Sequence, residues 1–331
     1  MNMKMRYIGT TDIEASVVSL GAWAIGGGPW WGASDTAESI GAIHAALDAG
    51  INMIDTAPAY GLGRSEEVIA KALAGRRDKV IIATKCGIWW QDKRDVIAFE
   101  VEGETAYKSL SPETIRQEIE MSLRRLNTDY IDLYQTHWPV TKEGSYLIED
   151  TMACLLELKS QGKIRAIGAS NVSIAEIEAY QAVGVLDTLQ PRYSMLDRSI
   201  EQELLPFCIK NTISTLAYSP LEQGLLTGKF GMDYSLDKDN TRNGRPWFRP
   251  ENRHKVLQML SQWQDLTQQY HCTLSQLVIA WTIAQEGVTF VLCGARRAEH
   301  AIANAKAGDL TLSEEDMQRM RTDVLLLGEP V

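Results

Sequence analysis

Short runs of β-branched and apolar residues recur along the chain at 17–21, 52–55, 80–84, 131–135, 164–168, 188–190, 214–218 and 289–292. Each is followed by a polar turn and then by a stretch whose apolar positions repeat with helical period. These stretches fall at 36–49, 65–73, 112–126, 148–161, 174–181, 200–210, across 251–285 and at 298–307. Boundary residues sharpen the picture. Ser111-Pro112-Glu113 offers an N-cap, a proline at the first helical position and an early acid, and Ser313 before Glu314, Glu315 and Asp316 marks another helix start. Gly50 and Gly162 stand where helices should stop. A strand-then-helix unit repeated eight times predicts an α/β fold of the (β/α)8 TIM barrel type, and hence one domain over residues 1–331 rather than two doubly wound halves. Residues 3–16 predict a small β-hairpin that plugs the bottom of the barrel. The segments 87–110 and 220–250 are too long for simple connections. Both leave strand C-termini, so they predict long functional loops at the C-terminal face.

Composition narrows the function classes. The chain has 331 residues, 45% hydrophobic and 23% charged, which suits a sizeable core and excludes disorder for most of its length. A formal net charge of -10 argues against a nucleic-acid partner, because no basic face is on offer to a phosphate backbone. Lys4 and Arg6 precede no apolar stretch, and the most apolar run, 277–284, is too short to span a bilayer, so neither secretion nor a membrane is expected. Cysteines 86, 154, 208, 272 and 293 are odd in number and lack metal-ligand spacing. They read as reduced thiols in the cytoplasm, with no metal site indicated by their spacing.

Candidate chemistry collects at the predicted strand C-termini. Asp55 ends the second strand with Tyr60 beyond it, Lys85 ends the third and His137 follows the fourth, so a barrel brings all four to one mouth. A lysine beside a tyrosine favours the phenolate and lowers a pKa that is ordinarily about 10, which suits acid catalysis. Asp55 would hold that lysine charged, and a neutral His137 would orient a substrate oxygen. Trp23, Trp30, Trp31, Trp89, Trp90, Trp138, Trp247 and Phe248 all fall after strands and are expected at the catalytic face, with Trp23, Trp89 and Trp138 in the substrate pocket. Trp263 and Trp281 lie inside helical patterns and are expected in the core. An aromatic wall suits apolar carbonyls and sugar rings alike. The bare barrel also admits a Schiff-base enzyme built on Lys85, in the manner of a class I aldolase.

Asp55-Thr56-Ala57 with Tyr60-Gly61, then Thr84-Lys85, then Thr136-His137-Trp138, resemble the catalytic tetrad of the aldo-keto reductases. Residues 162–168 leading to Ser170-Asn171, Leu189-Gln190 with Tyr193, and Tyr218-Ser219-Pro220-Leu221 with residues 224–228 continue the likeness in family order, from about residue 7 to 304. The resemblance implies NADP(H)-dependent reduction of aldehydes or ketones, sugar-derived ones among them, with Tyr60 as general acid and a small carbonyl or alcohol as the substrate partner. It implies that Ser170, Asn171 and Gln190 bind the nicotinamide carboxamide and that Tyr218 stacks on the ring. Ser219, Pro220, Leu221, Gln223 and Gly224 would wrap the pyrophosphate. Gly294, Arg296, His300 and Asn304 would hold the adenosine end, with Arg296, and Arg297 beside it, selecting NADP(H) through the 2'-phosphate. The chain departs from the family pattern at His300 and Ala303, where relatives often carry Gln and Glu, and at Glu222, where many have a small residue. The family likeness extends to potassium channel β subunits, which makes a slow-turnover, cofactor-binding regulatory subunit a further reading. Substrate identity, reaction direction and oligomeric state do not follow from the sequence.

Overall fold

Eight parallel strands, Val18–Gly21 (β1), Met53–Asp55 (β2), Ile81–Cys86 (β3), Ile131–Thr136 (β4), Ile164–Ser170 (β5), Thr188–Gln190 (β6), Ser214–Tyr218 (β7) and Phe290–Gly294 (β8), close into a barrel in chain order, β8 pairing with β1. The computed structural model describes residues 3–94, 96–139, 146–231, 234 and 241–331. Every strand lies within two residues of its predicted position. Period-two alternation divides each strand between two cores. Met53, Ile81, Ala83, Leu133, Ala166, Leu216, Phe290 and Leu292 fill the barrel interior, while Val18, Leu20, Ile54, Ile82, Ile131, Ile167, Leu189 and Val291 pack outward against the helices. Met5–Tyr7 and Glu14–Ser16 form the predicted hairpin, which closes the bottom of the barrel with Ile8, Ile13 and Ala15.

Capping chemistry sets the helices as expected. Ser111 accepts from the Thr114 amide at the start of Pro112–Leu126, and Ser313 accepts from the Asp316 amide at the start of Glu314–Leu325. The 251–285 region divides into Pro250–Ser261, Gln264–Gln269 and Leu274–Ile283, with Trp263 and Trp281 fully buried. Among the described helices none is long and apolar enough to cross a membrane.

The segment after β3 differs from the expected loop. It forms a three-stranded antiparallel sheet from Ile88–Trp89, Val96–Val101 and Glu104–Lys108. Glu102 (φ 54°) and Gly103 (φ 86°) make its two-residue turn, a left-handed pair that suits a tight hairpin. In the segment after β7, the described residues form the short 3-10 turns Glu222–Thr227, Thr241–Gly244 and Pro246–Phe248.

Candidate active site

The inward register that places Met53 and Ala83 in the barrel core carries Asp55 and Lys85 to its upper rim. Lys85 Nζ donates to Asp55 Oδ1 at 2.6 Å, to the Thr56 carbonyl at 2.9 Å and to the Tyr60 hydroxyl oxygen at 3.2 Å. Asp55 Oδ2 accepts from Gln190 Nε2 at 2.8 Å and from Gln135 Nε2 at 3.2 Å. Gly168 makes room for this network, since a Cβ there would lie 2.8 Å from Gln135 Cγ. Burial works against the Lys85 ammonium, but Asp55 and Tyr60 outweigh it and hold the group above the ordinary lysine range. Tyr60 is pushed up by burial, against the lowering influence of Lys85, so the net shift runs opposite to the sequence expectation. The phenol is firmly protonated. Because its oxygen already accepts from Lys85, its own proton is left to donate toward the cavity. His137 packs edge-on to Tyr60 with ring centroids 5.8 Å apart. Burial and the nearby Lys85 and Lys108 depress its pKa well below 6.5, so the ring is neutral as expected.

Tyr60 and His137 open onto a cavity of about 990 Å³. Asp55, Ser170, Asn171, Gln190, Tyr218, Ser219, Pro220, Leu221, Gln223, Gly224, Gly294, Arg296, His300 and Asn304 all line it, so the residues expected at a cofactor share one groove with the tetrad. Lys85 is 1% exposed and stands behind Tyr60. That position argues against the Schiff-base alternative, because an enclosed, charged amine is neither reachable nor nucleophilic. Tyr218 donates to Asn171 Oδ1 at 2.9 Å, and Ser170 Oγ donates to the Gln190 carbonyl at 2.8 Å. Asn171, Ser219, Glu222 and Gln223 all adopt positive φ, between 46° and 61°, a cost of about 1–2 kcal/mol each that clusters along the groove. Glu222 turns out of the groove. It is 1% exposed, pairs with Arg192 and accepts from Ser194 Oγ at 2.9 Å.

A family model described as the aldo/keto reductase family matches residues 17–322. The chain belongs to the aldo/keto reductase family. An NADH-specific methylglyoxal reductase of Escherichia coli (strain K12) is 46% identical over 96% of this chain and 98% of its own. The solved glycerol dehydrogenase AKR11B4 from Gluconobacter oxydans is 35% identical, with a TM-score of 0.87 over 98% of this chain and 96% of its own. A Klebsiella pneumoniae aldo-keto reductase solved with NADPH is 27% identical, with a TM-score of 0.73 over 100% of this chain and 97% of its own. This aldo/keto reductase is therefore an oxidoreductase of a family that uses a nicotinamide cofactor.

The groove fits such a cofactor. Its lining carries buried polar atoms without partners among the described residues, Gln223 Oε1 and Trp31 Nε1 among them, and includes both Tyr60 and the cations Arg296, Arg297 and Lys229. The aromatic residues need partial correction. Trp23 and Trp138 line the cavity, but Trp89 does not: it is 5% exposed, paired with Tyr107 in the antiparallel sheet, donates to Asp92 Oδ1 at 3.2 Å and lies under Arg94. Its short strand is the edge of that sheet, hydrogen-bonded to Glu104–Lys108. Trp90 lies beside it, and Phe248 belongs to the core. The hairpin instead offers Phe99 to the cavity, beside Trp30 and Trp31. Sequence reasoning also missed Gln135, which the inward register of Leu133 on β4 would have found, and the two guanidinium-bearing wall residues Arg192 and Arg245.

Proposed function

We propose that this aldo/keto reductase reduces small oxygenated aldehydes or ketones, with NADP(H) as hydride source and Tyr60 as general acid. The carrying observation is Tyr60 lining the cavity with its hydroxyl backed by a buried Lys85–Asp55 pair. The bound cofactor supplies the hydride. Ser170, Asn171 and Gln190 line the groove and would hold one end of it, and the Tyr218 ring, fixed by its bond to Asn171, would stack against it. Tyr60 gives its proton to the carbonyl oxygen as hydride arrives, so alkoxide charge does not build up. Lys85 stabilises the phenolate left behind, and Asp55 holds Lys85 in place. Neutral His137 orients the substrate oxygen, and Trp23 and Trp138 flank it.

Arg296 supports the NADP(H) choice. Its guanidinium lines the groove, and Lys229, Arg297 and Arg296 together press down the pKa of His300, after burial, as a positive field would. Methylglyoxal and glycerol in the names of the relatives point to small oxygenated substrates, and one of those relatives is called NADH-specific. Tryptophan-fluorescence titration with NADPH and with NADH, followed by a panel of small aldehydes, tests the reading. Saturable binding favouring NADPH with aldehyde-dependent cofactor oxidation is expected. Failure to bind either cofactor would remove the reductase reading, and a preference for NADH would remove Arg296 from the 2'-phosphate.

A further inference from the structure

Residues 27–34, which follow β1, roof the cavity and present Trp30, Trp31, Ala33 and Ser34 to it. Gly27, Gly28 and Gly32 all have positive φ, so this strap follows a path that no regular element dictates. Two cations from distant parts of the chain hold it. Arg296 Nη1 donates to the Trp31 carbonyl at 2.9 Å and to the Ala33 carbonyl at 3.4 Å, and Arg64 Nη2 donates to the Ser34 carbonyl at 2.7 Å. The strap in turn builds the substrate end. Trp31 packs edge-on to Trp23 at 5.3 Å, Trp23 lies 6.2 Å from the Tyr60 ring, and Trp30 packs edge-on to Phe99 at 5.1 Å.

Resting on the reductase reading of this cavity, we propose that Arg296 is a positioning residue for the substrate wall as well as a cofactor-end group, so that the cofactor chosen alters substrate selectivity. Both of its bonds to the strap use Nη1. The other edge of the guanidinium has no protein acceptor among the described residues, and Arg296 lines the groove together with Arg297 and Lys229. A phosphate held on that edge fixes the plane of the fork and so tightens its grip on the two carbonyls. A cofactor without a 2'-phosphate leaves the plane free to rotate. Substrates that lean on the tryptophan roof therefore gain from NADPH relative to substrates too small to reach it.

The test compares KM for propanal with KM for benzaldehyde under each cofactor. In the wild type the propanal-to-benzaldehyde KM ratio is expected to be several-fold higher with NADPH than with NADH. Arg64→Ala, which loosens the strap away from the cofactor end, should lower that ratio by about tenfold with NADH, the scale of one charge-assisted hydrogen bond. It should not change the relative affinity for NADPH over NADH. Arg296→Ala should lower the ratio similarly and abolish its dependence on the cofactor. A ratio within twofold of wild type in both variants, or one that is the same with both cofactors in the wild type, overturns the inference. A wild type that oxidises neither cofactor with either aldehyde removes the reductase reading and this inference with it.

Discussion

Replacing Lys85 by methionine keeps an unbranched side chain of similar reach and deletes the ammonium that faces Tyr60. The direction is unambiguous. Lys85 is the influence that lowers the phenol's pKa, while burial and Asp55 both raise it, so the variant's phenol must become a weaker acid. At the 3.2 Å separation seen here the lost interaction is worth about 5 kcal/mol with an effective dielectric of about 20, an upper bound. If half of that change reaches the transition state, the hydride-transfer rate falls about 100-fold, at the low end of what a general acid usually contributes. Stability should fall by about 3 kcal/mol, the low end for breaking a buried pair, because Gln135 and Gln190 still donate to Asp55. The folded-state pKa of Lys85 is raised, so the pair's contribution is complete below about pH 10.5 and fades only as pH climbs through the raised value. Neutral-pH assays therefore read the charged pair. Urea unfolding checks the stability term, and single-turnover oxidation of reduced cofactor by aldehyde checks the rate. A folded Lys85→Met variant turning over within threefold of wild type would refute the assignment of Lys85 as support for the tyrosine.

Other outcomes follow from the same geometry. His137 is held neutral, so kcat/KM should show no inflection near pH 6.5 from this ring. Its contribution to stability is intact above that pH and declines on acidification by at most about 1.4 kcal/mol per pH unit, a decline that His137→Gln should remove in thermal melts. Burial raises Glu118 to about 8, although the Gly87 and Ile88 amides donate to it at 2.6 and 3.2 Å. Its protonated form is favoured by folding, so stability is lost as pH rises from 4.5 toward 8, and Glu118→Gln should flatten that part of the melting profile. Arg296→Ala should weaken NADPH binding by tenfold or more, and NADH binding much less, in fluorescence titration; equal weakening would place the 2'-phosphate elsewhere.

What the sequence made legible was local. Eight apolar runs with period-two alternation define the barrel, and the same alternation, carried one step further, sends Asp55 and Lys85 to the rim. Tyr60 and His137 follow because strand ends in a barrel converge. The groove residues from Ser170 to Asn304 sit at strand ends, in the segments just after them and on the helix Ala298–Ala307, and it is the family resemblance that picks them out. What stayed hidden depends on partners far along the chain. Nothing near Trp89 announces that a hairpin beginning seven residues on will pair with its strand, although the Glu102-Gly103 turn with alternating flanks was a readable signal of that hairpin. The bond from Arg296 to Trp31 spans 265 positions, and the burial of Glu222 depends on Arg192, thirty residues away. The sign of the Tyr60 shift was misread for a related reason. Proximity to Lys85 is visible in a sequence, whereas the depth of burial that outweighs it is a property of the closed barrel.

The central claim is that Tyr60 delivers the proton during hydride transfer, and Tyr60→Phe tests it most directly. The variant removes one oxygen from the cavity wall and leaves the groove that receives the cofactor intact. With cofactor affinity read by fluorescence and hydride transfer read in a single turnover with a small aldehyde, binding should stay within about threefold of wild type while the rate falls by about 10²–10⁴. A Tyr60→Phe enzyme that binds cofactor and transfers hydride at the wild-type rate would contradict the account.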